Sequence, residues 1–272
     1  MVIKHVLGVG EQEDGLYGKT SAYYGTVEQQ GRLTLHLHMM LWIEGALSPQ
    51  EIRDRIMSGD SAFQKSLVDY LEGVHTGDFF NGTMDDVRKK QPSKRDPTQT
   101  MPSRPASKCA MSHAGEQPCN TCTKYNTWMK EYKETVDDLV IRSNVHVCRA
   151  SRESKLNKKK QRDHSPIGKA ARYGQKGCLN KEGICTARFP RDVRDETVVD
   201  EKDGHIHLKK LESMINTFTP ALTYVTRCNT DVSSLLSGTS IKAIISYVTD
   251  YVTKPALKTY QVFSSAYDVY SK

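Results

Sequence analysis

Residues 23–43 read YYGTVEQQGRLTLHLHMMLWI, two β-rich runs either side of Gln29-Gln30-Gly31-Arg32. This pattern predicts an antiparallel hairpin. A strand sends alternate side chains to opposite faces, so His36 and His38 share one face while Leu37 takes the other. Two imidazoles at that spacing chelate one metal ion. The first strand supplies a third ligand from Glu28, Gln29 or Gln30. Glu28 and Gln30 share a face and Gln29 lies on the other, so the loop count decides between them. Two nitrogens and one oxygen donor, with coordination positions left open, suit a divalent ion that binds phosphate oxygens.

A second constellation lies near the end of the sequence. Ile241, Ile244, Ile245, Val248 and Val252 recur at helical steps, Ser240 offers a cap, and Pro255 ends the run. On that predicted helix Tyr247, Tyr251 and Lys254 fall in one narrow sector at the rim of the apolar stripe.

Three phrases, YGTVEQQGRLTLHLHMMLW (24–42), RCNTD (227–231) and YVTDYVTK (247–254), occur in this order. Together they resemble the Rep nuclease domain of Helitron rolling-circle transposases, also called the Helitron helicase-like domain. The resemblance implies an α+β fold with an antiparallel central sheet of HUH/Rep type flanked by helices. It implies Mg²⁺ or Mn²⁺ held by His36 and His38 with Glu28 or Gln30, and Tyr247 and Tyr251 as nucleophiles. Single-stranded DNA is the expected partner, with a helicase normally in the same polypeptide, and the expected location is the nucleus. A phenol of ordinary pKa about 10 needs a nearby cation to favour phenolate, a task for the metal and for Lys254. A second tyrosine four residues on lets cleavage and transfer alternate at one metal. The hairpin stands near the start of the sequence and the tyrosines near its end, so a fragment of a longer transposase is expected.

The chain carries 39 Lys and Arg against 32 Asp and Glu, a net charge of +7. Residues 149–191 hold 13 basic and 3 acidic side chains, a net +10, so the remainder sums to −3. The peak is Lys155, Lys158, Lys159, Lys160 and Arg162, a tract that binds phosphates with little sequence preference.

Seven cysteines, an odd number, with no apolar stretch long enough for a secretory signal or a membrane span, argue against a disulfide framework and against a membrane partner. Metal explains them better. Cys109, His113, Cys119 and Cys122 form one tetrahedral zinc set, and His146, Cys148, Cys178 and Cys185 form another on either side of the basic tract. The second set also resembles the His-x-Cys and Cys-before-Phe-Pro-Arg pattern of the same family. Cys228 is left over and expected in the core.

Two look-alikes carry no chemistry. Gly18-Lys19-Thr20 lacks the earlier glycine of a phosphate loop, because Glu13 stands there. His205-Ile206-His207 repeats the HxH spacing without a large apolar flank and reads as surface strand. The organisation expected is a first part of the catalytic domain at 1–80, with helices at 48–58 and 61–74. A Pro-rich linker at 81–108 follows, then a Cys/His-rich basic insertion at 109–190 with a helix near 127–141. Residues 191–272 form the second catalytic part. The alternative from another class is a non-catalytic, zinc-stabilised nucleic-acid-binding remnant of a transposon.

Overall fold

A computed structural model describes residues 2–30, 34–90, 96–110, 119–149, 177–200, 202–235, 245 and 249, with the backbone alone at 28–30 and 34. The chain is mixed α+β with small antiparallel sheets. It divides into two compact units, one of residues 1–65, 200–205 and 235–272, the other of residues 66–199 and 206–234.

The first unit is built on the hairpin, β1 (Thr20–Gln30) and β2 (Thr34–Ile43). Its register sets Tyr24 opposite Met40, Thr26 opposite His38 and Glu28 opposite His36. Paired residues share a face, so Leu35 and Leu37 lie with Gln29 and Val27 on the reverse side. The base of β1 is tied down by Thr20, whose buried hydroxyl donates to the Leu7 carbonyl at 2.6 Å. Helix α1 (Pro49–Met57) begins where Ser48 and Glu51 cap each other reciprocally and Pro49 pre-sets the first turn. Ile52 and Ile56, four residues apart, bury its inner face. Ile245 and Thr249, on the predicted tyrosine helix, are helical; Ile245 is exposed although the periodicity assigns it to an apolar stripe.

Helix α2 (Ser61–Val74) leads into the second unit, where Leu71 is fully buried. Helix α3 (Met84–Lys89) carries a second capping box, from Thr83 and Asp86. The long helix α4 (Asn120–Ser143) buries Val136, Leu139 and Val140, one face at steps of three and four. Val136 and Val140 join Phe79, Ile215, Phe218 and Tyr224 in the core, the last from α5 (Pro220–Thr226). β3 (Val198–Val199) pairs with β4 (Ile206–His207) in a two-residue antiparallel ladder. The second HxH, expected as surface strand, is strand only at Ile206 and His207, and Ile206 is buried.

Three sequence expectations change. Residues 81–108 are not simply a linker: Met84 and Val87 pack on the core, and buried Asp137 of α4 accepts from Phe80 N, Asn81 N and Asn81 Nδ2 at 2.7–3.0 Å. Burial pushes that carboxyl up, against the pull of the three donors. The helix expected near 127–141 starts seven residues earlier, at the cysteine cluster. Cys228 is exposed and follows Arg227, which ends α5 in the left-handed region at φ 55. Among the described residues both sheets are two-stranded.

Candidate metal centres

The most complete cluster is His146, Cys148, Cys178 and Cys185, whose ligand atoms all lie within 4.8 Å of one another. Backbone bonds place His146, Cys178 and Cys185. His146 N donates to the Met214 carbonyl at 2.7 Å, and Thr186 N donates to that of Cys178 at 2.7 Å, closing a turn that brings Cys178 and Cys185 together. Inside the turn Asn180 Oδ1 accepts from Glu182 N and Ile184 N, while Gly183 supplies the positive φ. Arg149 N approaches Cys178 Sγ at 3.3 Å, the amide-to-thiolate contact usual at metal-bound cysteines.

Distances agree with a tetrahedral ion. Cys185 Sγ lies 3.4 Å from His146 Nε2. Zinc bond lengths predict an S···N edge of about 3.6 Å. Phe189 stacks on the imidazole at 4.1 Å and 9°, and the Arg191 guanidinium carbon lies 4.5 Å from the centre of the Phe189 ring. Desolvation, then Arg191, lowers the His146 pKa and favours the neutral ring that ligates. Desolvation pushes the Cys148 thiol up to about 11. Desolvation also opposes ionisation of Cys185, yet the amides of Phe189 and Ala187 outweigh it and lower its pKa. Crowded thiols share negative charge unequally until a cation lets all of them ionise.

The second cluster joins Cys109, Cys119 and Cys122. Cys119 Sγ and Cys109 Sγ are 3.7 Å apart, against about 3.8 Å for two thiolates on one tetrahedral zinc. Cys119 is the N-cap of α4, and the amide of Cys122 draws its thiol down to about 6. Desolvation, followed by the neighbouring Cys119, holds Cys122 up to about 11. The expected fourth ligand, His113, lies outside the described residues. Both groups could hold a metal ion such as zinc.

The hairpin differs in kind. His36 and His38 are half-buried, with ring centroids 4.4 Å apart and planes tilted by 54°. The register separates the oxygen donors: Glu28 stands opposite His36, Gln30 opposite Thr34 on the same face, and Gln29 opposite Leu35 on the reverse. Tyr247, Tyr251 and Lys254, and the basic tract of Lys155, Lys158, Lys159, Lys160 and Arg162, lie outside the described residues.

Sequence reasoning singled out every cysteine of the two clusters. It missed the stack behind His146, although Phe189 and Arg191 follow Cys185 in the phrase Phe-Pro-Arg. Arg227 also went without a role, inside a phrase that carries the resemblance. No helix among the described residues is long and apolar enough to cross a membrane. Comparison of the chain with protein-family models, with curated proteins and with solved structures yields no match.

Proposed function

We propose that the chain is a metal-dependent single-stranded DNA endonuclease and strand transferase of the HUH type, acting in rolling-circle transposition of the Helitron kind. The observation that carries this reading is the hairpin: two imidazoles 4.4 Å apart on one face, with Glu28 across from His36. The resemblance of residues 24–42, 227–231 and 247–254 supports it from the sequence. His36 and His38 bind through neutral ring nitrogens, and Glu28, or Gln30 two residues on, adds an oxygen.

A Mg²⁺ or Mn²⁺ ion bound there withdraws charge from a phosphodiester and stabilises its transition state. The chain's own part is nucleophilic. The Tyr247 or Tyr251 phenolate, favoured by Lys254, attacks phosphorus; the Oη–P bond forms, the P–O3′ bond breaks, and the leaving 3′-oxygen takes a proton from water. A 5′-phosphotyrosine and a free 3′-hydroxyl result. The ester bond energy is kept, so the second tyrosine accepts the next strand without ATP.

The two cysteine clusters serve as zinc-holding framework, and the basic tract adds phosphate affinity. A zinc-stabilised nucleic-acid binder without chemistry is the second reading, favoured by one observation: the four-ligand cluster is complete among the described residues. Incubation with end-labelled single-stranded DNA and Mn²⁺, followed by denaturing electrophoresis, decides between them. A covalent adduct lost in Tyr247→Phe/Tyr251→Phe supports the transferase; reversible, salt-sensitive binding with no adduct leaves only the binder.

A further inference from the structure

The phrase RCNTD at 227–231 has no part in strand transfer as proposed, yet its arginine is unusually placed. Arg227 is 9% exposed and takes φ 55, a conformation L side chains seldom adopt. Its guanidinium carbon lies 4.3 Å from the centre of the Tyr224 ring. Nη2 donates to the Met101 carbonyl at 3.4 Å, near the limit of a hydrogen bond. Nε and Nη1 are shielded and meet no acceptor among the described residues. Arginine cannot shed its charge, so burial with idle donors is costly unless an anion completes the site.

Trp128 Nε1, in the aromatic row Trp128–Tyr132–Tyr224, is a further buried donor without a partner among the described residues. Residues 101–110 have no regular secondary structure and reach the site at two points, the Met101 carbonyl and Ser103, whose N–H and hydroxyl meet Tyr224 Oη at 3.2 and 2.8 Å. That segment also carries exposed Arg104 and Lys108. Release of the long Met101 bond frees Nη2 beside Nε, the edge of the fork that grips two phosphate oxygens at once.

We infer that Arg227 is a receptor for a phosphate group, with residues 101–103 as a cover that the phosphate displaces and Arg104 and Lys108 as flanking cations. The phosphate comes either from a DNA strand, a source that rests on the function proposed above, or from free inorganic phosphate.

The test uses the full chain, a labelled single-stranded oligonucleotide and inorganic phosphate, at constant ionic strength, beside the variant Arg227→Lys, which keeps the charge and loses the fork. The variant is expected to bind the oligonucleotide about tenfold more weakly, with unchanged zinc content and circular dichroism. Phosphate is expected to raise the Tm of the native chain, relative to chloride, and not that of the variant. Phosphate protection that depends on Arg227, with oligonucleotide affinity unchanged, supports the receptor and assigns it free phosphate. A weaker oligonucleotide complex without phosphate protection supports the receptor and assigns it DNA. If Arg227→Lys does not fold, Trp42→Phe leaves Trp128 as the sole indole, and phosphate or oligonucleotide must then change its emission. Neither ligand responding to Arg227, or, in that second case, to the indole, overturns the inference. Mn²⁺-dependent adduct formation is scored in parallel, so loss of this receptor is told apart from loss of strand transfer.

Discussion

The four-ligand cluster, which could hold a metal ion such as zinc, and the hairpin face, proposed above to hold another, are built differently. At His146, Cys148, Cys178 and Cys185 the donors converge from a turn and a segment without regular secondary structure, sulfur dominates, and a stacked Phe189 closes one side. At His36 and His38 two nitrogens stand on a regular ladder with Glu28 across from one of them and exposed Leu35 and Leu37 on the other face. Closed, thiolate-rich sites hold structure together; sites with few protein ligands leave positions for a substrate. The contrast teaches that metal removal should have opposite signatures at the two places: loss of fold at the first, loss of chemistry at the second.

The largest expected effect is on the closed site. Cys185→Ser, or a strong chelator, should cost the second unit several kcal/mol of stability and one zinc per chain, read by thermal melting and metal analysis. A variant that melts like the native chain with its zinc lost would break the contrast. Next comes the open site. His36→Ala should lower Mn²⁺-dependent adduct formation by at least about a hundredfold while Tm and zinc content stay within error. A large drop in Tm would instead make the hairpin histidines structural.

Glu28→Ala and Gln29→Ala sharpen the register. The first should weaken Mn²⁺ binding by about tenfold and the second should leave it unchanged, as measured by titration calorimetry. Equal effects would mean that face assignment does not select the ligand. Arg191→Ala tests the support behind His146 and should weaken zinc by about tenfold with the four ligands intact.

The smallest effect is in pH. Without metal the Cys148 and Cys122 thiols titrate at about 11, so both are protonated at neutral pH and must release protons to bind zinc. Competition with a chromophoric chelator should therefore show zinc affinity rising as pH rises and falling as it is lowered. The thiol of Cys119, at about 6, adds a further loss as pH falls through that value. Affinity at the cysteine clusters that is flat in pH would contradict thiolate ligation.

Local chemistry was readable where it is local. Alternation gave the hairpin, and the helix expected at 48–58 matches α1 to within a residue at each end. The facing of Glu28 was not, because it depends on residue pairing across a loop and one residue more would bring Gln29 round. Cysteine spacing identified both clusters, since a metal tolerates long loops between ligand pairs. The start of α4 was hidden because Asn120, Thr121 and Thr123 carry no apolar period. The structure of the described residues at 81–90 was hidden for another reason: the proline and charge content of the stretch reads as linker, while the anchor is Asp137, more than fifty residues away. Arg227 could be marked as part of a phrase, but its burial and idle donors exist only in three dimensions.

Mass spectrometry of the chain after reaction with a single-stranded oligonucleotide and Mn²⁺ tests the central claim most directly. The account predicts a nucleotide adduct on the peptide bearing Tyr247 or Tyr251, present in the native chain and absent from His36→Ala. An adduct that forms equally well without His36, or none at all from a zinc-loaded and folded chain, would contradict it.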